Sequence, residues 1–152
     1  MIGEIKFLKD YKEVQKVYEF VKKFPLDYPN FFVWLDKCKK QLETGDKKSF
    51  YATSNGQIIG SVIFQTERRE SSVLEIKNFR VAEEHSRKGV GSALEIMVCS
   101  YAKFNSYNKI QIDTHQNNLT MIQFLIKKGY TIEAEEYLYL LDKPEVILVK
   151  KL

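Results

Sequence analysis

The chain has 152 residues and a formal net charge of +4, with acids and bases interspersed. That length suits one domain with a sizeable core, and ten Phe, nine Tyr and one Trp exclude a disordered chain. The basic residues form no run dense enough for a nucleic-acid surface, although the mild positive excess favours an anionic ligand.

In chain order, "IGEIKFL" alternates and reads as a short strand. Asp10 followed by Glu13 fits an N-cap with a capping box, and Val14, Val17, Tyr18 and Val21 recur at helical spacing. Pro25 lies just past that helix. Phe31, Trp34, Leu35, Cys38 and Leu42 mark one face of a second helix, which Gly45 ends. Two β-rich runs flank Asn55-Gly56, a hairpin signal, and "VLEIKNFRV" adds a third strand. Val90, Leu94, Met97, Val98 and Tyr101 form the stripe of a longer helix. "KIQID" is a strand. Asn118 precedes a helix carrying Ile122, Leu125 and Ile126, closed by Gly129. "YTIEAEEYLYLL" and "EVILVKK" form a final hairpin around a turn beginning at Asp142. The order is β-α-α-β-β-β-α-β-α-β-β. The fold expected is α/β of the α+β type: one domain over residues 1–152, with a mixed, mostly antiparallel sheet of about seven strands and four helices. The strands either side of the third helix fit a parallel, right-handed crossover.

The N-terminus carries charges where a signal peptide needs an apolar run, and no apolar stretch approaches the ~20 residues of a membrane span. A cytoplasmic protein that inserts in no membrane and binds no nucleic acid is expected. Cys38 and Cys99 fall among apolar helix residues and read as buried, reduced thiols. No Cys/His spacing suggests zinc, so no metal is expected.

"EEHSRKGVGSALEIM" places Gly89 and Gly91 where a helix begins. The first N–H groups of a helix lack internal partners and lie at its positive end. Bare glycines let a diphosphate approach them, and Arg87 and Lys88 add charge beside it. A glycine-rich turn with solvated basic residues fits the same letters. A Walker motif is absent, and Leu94 stands where a dinucleotide fingerprint needs its third glycine.

With these residues the chain resembles the GNAT N-acetyltransferase family over nearly its whole length: in element order, in "IKNFRV", in "SRKGVGSAL" and in "NNLTMIQFLIKKGY". The resemblance implies acetyl-CoA as co-substrate and an amine, on a small molecule or a protein, as acceptor. The family's phosphate motif falls on Ser86, Arg87, Lys88, Gly89, Val90 and Gly91, with Ser92 beside it. Ser86 departs from the family's Gln or Arg, and Arg87 can supply the positive charge. The resemblance implies that Phe79 and Val81, on a bulged strand, hydrogen-bond the pantetheine arm, and that the backbone of Val81 or Phe79 serves the oxyanion. It places Asn118 on the pantetheine as well, although a plain N-cap fits that residue too.

The chemistry is acyl transfer. An amine attacks a thioester and a thiolate leaves. An alkylamine with pKa near ~10.4 is only about 0.04% neutral at pH 7, so a base is needed. Glu75, four residues before Phe79, occupies a place where several family members carry a glutamate base. Flanked by Leu74 and Ile76, it would have a raised pKa; pairing with Lys77 is the other reading. His115 is a weaker alternative, and His85 reads as solvated. Leu125 stands where many members have a Tyr for the thiolate. Nothing selects among Tyr130, Tyr137 and Tyr139, and the last two read as a packed pair. Tyr28 and Phe32, off the core stripe near Asp27, offer an aromatic wall for a cationic acceptor. Glu133, Glu135 and Glu136 read chiefly as a solvated face. An N-acetyltransferase, monomeric or homodimeric, is the leading expectation. A catalytically weak coenzyme A-binding regulatory module and a domain binding ATP or NAD at the same turn are the alternatives.

Overall fold

The computed structural model of the chain describes residues 3–139 and 143–152. Its elements are β1 (Glu4–Phe7), α1 (Tyr11–Lys22), α2 (Phe31–Thr44), β2 (Lys48–Ser54), β3 (Gln57–Thr66) and β4 (Val73–Val81), then α3 (Val90–Phe104), β5 (Lys109–His115), α4 (Leu119–Lys127), β6 (Thr131–Glu136) and β7 (Glu145–Lys151). The order is the one expected from the sequence, with a one-turn 3-10 helix at Glu83–His85 added before α3.

Local chemistry explains the boundaries. The Asp10 side chain accepts from the Glu13 amide at 2.9 Å and starts α1. Glu13 reaches back to the Lys9 amide rather than to that of Asp10, so the expected capping box is displaced by one residue. Asn55 and Gly56 both have positive φ, the conformation a tight hairpin needs. Gly45 closes α2 at φ 85°.

The seven strands run β1-β2-β3-β4-β5-β7-β6. Every neighbouring pair is antiparallel except β4 and β5, which are parallel, as a helical crossover requires. Alternation along the strands feeds two cores. Phe50, Ala52, Val62, Phe64, Leu74 and Ile76 face α3 and α4, where Leu94, Val98 and Leu125 pack. Tyr51 and Ile63 face the other way, onto Val17, Val21, Leu35 and Cys38 of α1 and α2. Cys38 and Cys99 are free and buried, and burial pushes the Cys38 thiol up to about 12. Glu95, in the apolar face of α3, is buried as well. It accepts from Cys99 Sγ at 2.8 Å and Tyr130 Oη at 3.1 Å, and pairs with Lys150 Nζ at 3.3 Å.

The last hairpin is shorter than its alternation suggests. β6 stops at Glu136, and Tyr137 and Tyr139 are exposed by 62% and 45% rather than packed as a core pair. The turn from Leu140 to Asp142 lies outside the described residues.

Gly60 sets how closely α3 sits on the sheet. A Cβ there would lie 2.9 Å from Val90 Cγ1, 3.1 Å from Leu94 Cδ1 and 3.3 Å from the Arg80 carbonyl oxygen. Gly60→Ala is expected to cost about 1–3 kcal/mol as an overpacked core position. Urea unfolding checks this, and wild-type stability in the variant would contradict it.

Candidate active site

The site begins with a fault in the sheet. Between β3 and β4 the register passes from Ile63↔Asn78 to Phe64↔Ile76, which leaves Lys77 as an extra residue in β4. The pairing of β4 with β5 ends at Ile76↔Ile112, although both strands continue. Beyond that pair the strands part and a cleft opens between them. The Ala82 amide donates to the Ile59 carbonyl at 2.8 Å, so that residue faces β3. By alternation, the backbone groups of Phe79 and Val81 turn away from β3 and into the cleft.

Side chains from both strands line this cleft, Asn78, Phe79, Arg80, His115 and Asn118 among them. Asn78 Oδ1, Arg80 Nε and His115 Nε2 are buried without a hydrogen-bond partner. Three orphaned polar atoms in one cleft suit a ligand with its own donors and acceptors.

At the end of β4 the chain reaches α3 through Ser86, Arg87 and Lys88, all exposed. Arg87 and Gly89 have φ of 60° and 85°. No side chain caps α3 at its N-cap Gly89, which leaves its leading amides at the positive end of a 15-residue helix. A Cβ on Gly91 would meet the Phe124 ring at 3.5 Å and Val81 Cγ2 at 3.8 Å, ordinary contacts. The first turn therefore lies beside Phe124, whose ring packs edge-on to the cleft residue Phe79 at 5.8 Å. Val90 is buried beneath it and Ser92 is half-buried.

A second cavity, of ≈ 190 Å³, adjoins the cleft and shares Leu26, Tyr28, Lys77 and Asp113 with it. Its other walls include Phe31, Trp34 and Tyr139. Asp113, a residue the sequence did not single out, thus stands where the two spaces meet. Burial pushes its carboxyl up to about 6, against the opposing pull of the Lys77 ammonium and the Tyr139 phenol facing it. Tyr28 Oη donates at 2.8 Å to Glu145, whose side chain is buried. In the sequence Asp113 falls on the polar side of an alternating strand, with Lys109, Gln111 and His115, so spacing alone does not single it out.

The predicted catalytic residues fall differently. Glu75 lines neither cavity. Its carboxylate accepts from Gln65 Nε2 at 3.1 Å and sits 3.6 Å from Lys77 Nζ, so the ion-pair reading describes it. Gln65 also accepts from the buried ammonium of Lys47. His115 lines the cleft, with Nδ1 accepting from the Asn117 amide at 3.2 Å. His85 is half-buried, not solvated, with Nδ1 unpartnered. Asn118 caps α4 by accepting from the Met121 amide, as its N-cap reading has it, and it also lines the cleft. Tyr28 lines both spaces. Phe32 is 51% exposed on α2, packs edge-on to Phe31 and lines neither. Leu125 and Tyr130 are buried in the core on the α3 and α4 face.

Among the described residues, no group of three His, Cys, Asp or Glu side chains could hold a metal ion, and no helix is long and apolar enough to cross a membrane.

Asp113 makes stability pH-dependent. Its carboxyl is raised from 3.8 to about 6, so the folded chain holds the extra proton between those values and stability falls as pH rises through that window. Asp113→Asn should gain on the wild type by about 2–3 kcal/mol between pH 4 and pH 7. Paired urea titrations at the two pH values measure this, and a constant difference would contradict it.

No curated protein matches the chain in sequence. Solved structures match its fold. A candidate acetyltransferase of the GNAT family from Desulfovibrio desulfuricans superposes with TM-score 0.82 at 13% identity, covering 97% of this chain and 99% of its own. The ribosomal-protein-S18-alanine N-acetyltransferase of Escherichia coli gives 0.79 at 17% identity, over 99% and 94%. A candidate streptothricin acetyltransferase from Bacillus anthracis, solved with acetyl coenzyme A, gives 0.64 at 20% identity, over 70% and 63%. At these identities the likeness is one of fold. In sequence, the profile of the acetyltransferase (GNAT) family matches residues 9–130, and by that match the chain belongs to the GNAT acetyltransferase family.

Proposed function

We propose that residues 1–152 act as one acetyl-CoA-dependent N-acetyltransferase domain in which a primary amine attacks the thioester directly. The observation that carries this reading is the position of Asp113, at the junction of a polar cleft and an aromatic cavity.

The cleft suits coenzyme A. The uncapped amides from Gly89 to Ser92, with Arg87 and Lys88 beside them, would hold the diphosphate. The free backbone edges of Phe79 and Val81, with Asn78 and Asn118, would hold the pantetheine amides, which bring donors and acceptors of their own. Acetyl-CoA bound there supplies the acetyl group as a thioester, already activated toward an amine. The Val81 or Phe79 amide can then serve the oxygen on which negative charge develops.

Asp113 takes the acceptor's proton. Its raised carboxyl is matched to proton transfer near neutral pH, better than an ordinary carboxylate would be. Glu75 acts at one remove: it anchors Lys77, whose ammonium opposes the effect of burial on Asp113. His115 is a second acceptor of protons lining the same cleft. The thiolate needs no dedicated acid, since a thiol of pKa roughly 8.5 is already a good leaving group. Tyr130 is in any case engaged with Glu95.

Release of thiol from acetyl-CoA in the presence of amines tests the reading. Asp113→Asn should lower kcat/KM by about 100-fold or more and remove the acid limb near pH 6. Glu75→Gln should keep that limb, and the reverse pattern would return the base to Glu75. Coenzyme A should raise the melting temperature of the wild type and of Gly91→Ala, but not of Gly91→Asp, whose carboxylate would oppose the diphosphate. Binding without turnover on any amine would favour a regulatory module. Stabilisation by ATP or NAD and none by coenzyme A would overturn the site.

A further inference from the structure

The second cavity limits what the acceptor can be. It is walled by aromatic rings: Tyr28 and Tyr139 meet at a tilt of 51° with ring centroids 4.9 Å apart, and Phe31 and Trp34 lie 5.9 Å apart. The Tyr28 hydroxyl is tied to Glu145. Among the described residues the cavity is lined by one carboxylate, Asp113, which lies at its junction with the cleft, and by one lysine, Lys77, whose charge would repel a second positive charge on an acceptor. Glu133, Glu135 and Glu136, the acidic residues of β6, are exposed and line neither space.

Resting on the acetyltransferase reading above, we infer that the acceptor is a small primary monoamine with a flat, apolar body, of arylalkylamine type. Its ring stacks among Tyr28, Phe31, Trp34 and Tyr139, and its nitrogen meets Asp113. The box is then the specificity device. Aromatic faces hold the apolar body and, at their edge, attract the cation. A single carboxylate neutralises a single ammonium and then receives its proton. The neutral nitrogen forms its bond to the acetyl carbon, the carbon–sulfur bond breaks with its electron pair leaving on sulfur, and the second proton of the nitrogen passes to that thiolate, which leaves the amide and the free thiol. A cavity of ≈ 190 Å³ has room for one such ring, and its aromatic lining favours a flat apolar body over a polyamine chain of similar size.

Trp34 is the only tryptophan in the chain, so its fluorescence reports occupancy of the box without any turnover. Titration with 2-phenylethylamine should change that fluorescence saturably, and ethylamine and spermidine should bind at least about 10-fold more weakly, given the contribution of ring contacts. In the thiol-release assay, the kcat/KM ratio of 2-phenylethylamine to ethylamine should be about 100 and should fall about 10-fold in Tyr139→Leu. Tyr139 is 45% exposed, so this variant should fold. The ratio cancels any change the substitution makes at Asp113. Spermidine or a peptide with a free N-terminus preferred over 2-phenylethylamine would overturn the inference, as would a ratio unmoved by Tyr139→Leu or no saturable fluorescence change. If the amine binds but acetyl-CoA is never consumed, the box stands and the acetyltransfer reading falls. Turnover confined to spermidine or the peptide leaves acetyltransfer standing and removes the arylalkylamine.

Discussion

Past Ile76 and Ile112, β4 and β5 no longer pair with each other, and the site is built in the space this leaves. An open seam in the middle of a sheet is costly unless its polar groups find partners. Lys77 is the extra residue that turns β4 aside, and because it lies at the bulge its ammonium reaches both the cleft and the aromatic cavity. The same bend directs the backbone of Phe79 and Val81 into the opening. One irregularity thus creates the space, exposes the edge that can grip a ligand, and delivers the charge that tunes Asp113.

The two faces of the sheet divide the remaining work. On the face of α3 and α4, the charge of Glu95 is matched by Lys150, Tyr130 and Cys99 within a mostly apolar core. That network holds the Tyr130 hydroxyl on Glu95 within the core. On the face of α1 and α2, a chain of contacts runs from Lys47 through Gln65 to Glu75 and Lys77. Burial disfavours the charged form of Lys47, and its amine is lowered accordingly. This second network ends at the cavity, so a buried structural lysine and a carboxylate in the site are parts of one electrostatic system.

Tyr28 shows how distant segments close the second cavity. It comes from the connection between α1 and α2, yet its hydroxyl reaches Glu145 at the start of β7. Its ring meets Tyr139, beyond β6. Lys143 also pairs with Asp27 at 3.4 Å across the same approach. Two connections far apart in sequence are held together over one cavity, and this gives the cavity a defined shape.

The sequence by itself determined the elements and their order, because period and punctuation are local: Asp10 begins a helix, Asn55-Gly56 turns a hairpin, and alternation in β2 and β3 sorts residues between two faces. It also marked the turn at Gly89 and Gly91, since a helix start without a capping side chain is written in a few adjacent residues. The tertiary structure alone decided which carboxylate meets the cavity and which aromatic rings line it. Glu75 and Asp113 are both carboxylates in alternating strands, and only the crossover and the bulge at Lys77 show that Glu75 is held by Gln65 and Lys77 while Asp113 meets the cavity. Phe32 and Phe31 are neighbours in sequence, but the helix turns one outward and the other inward. Tyr139 looked like half of a packed pair until β6 ended at Glu136. Which side chains meet across a cleft depends on where strands stop pairing, a property of contacts between distant segments that no local spacing records.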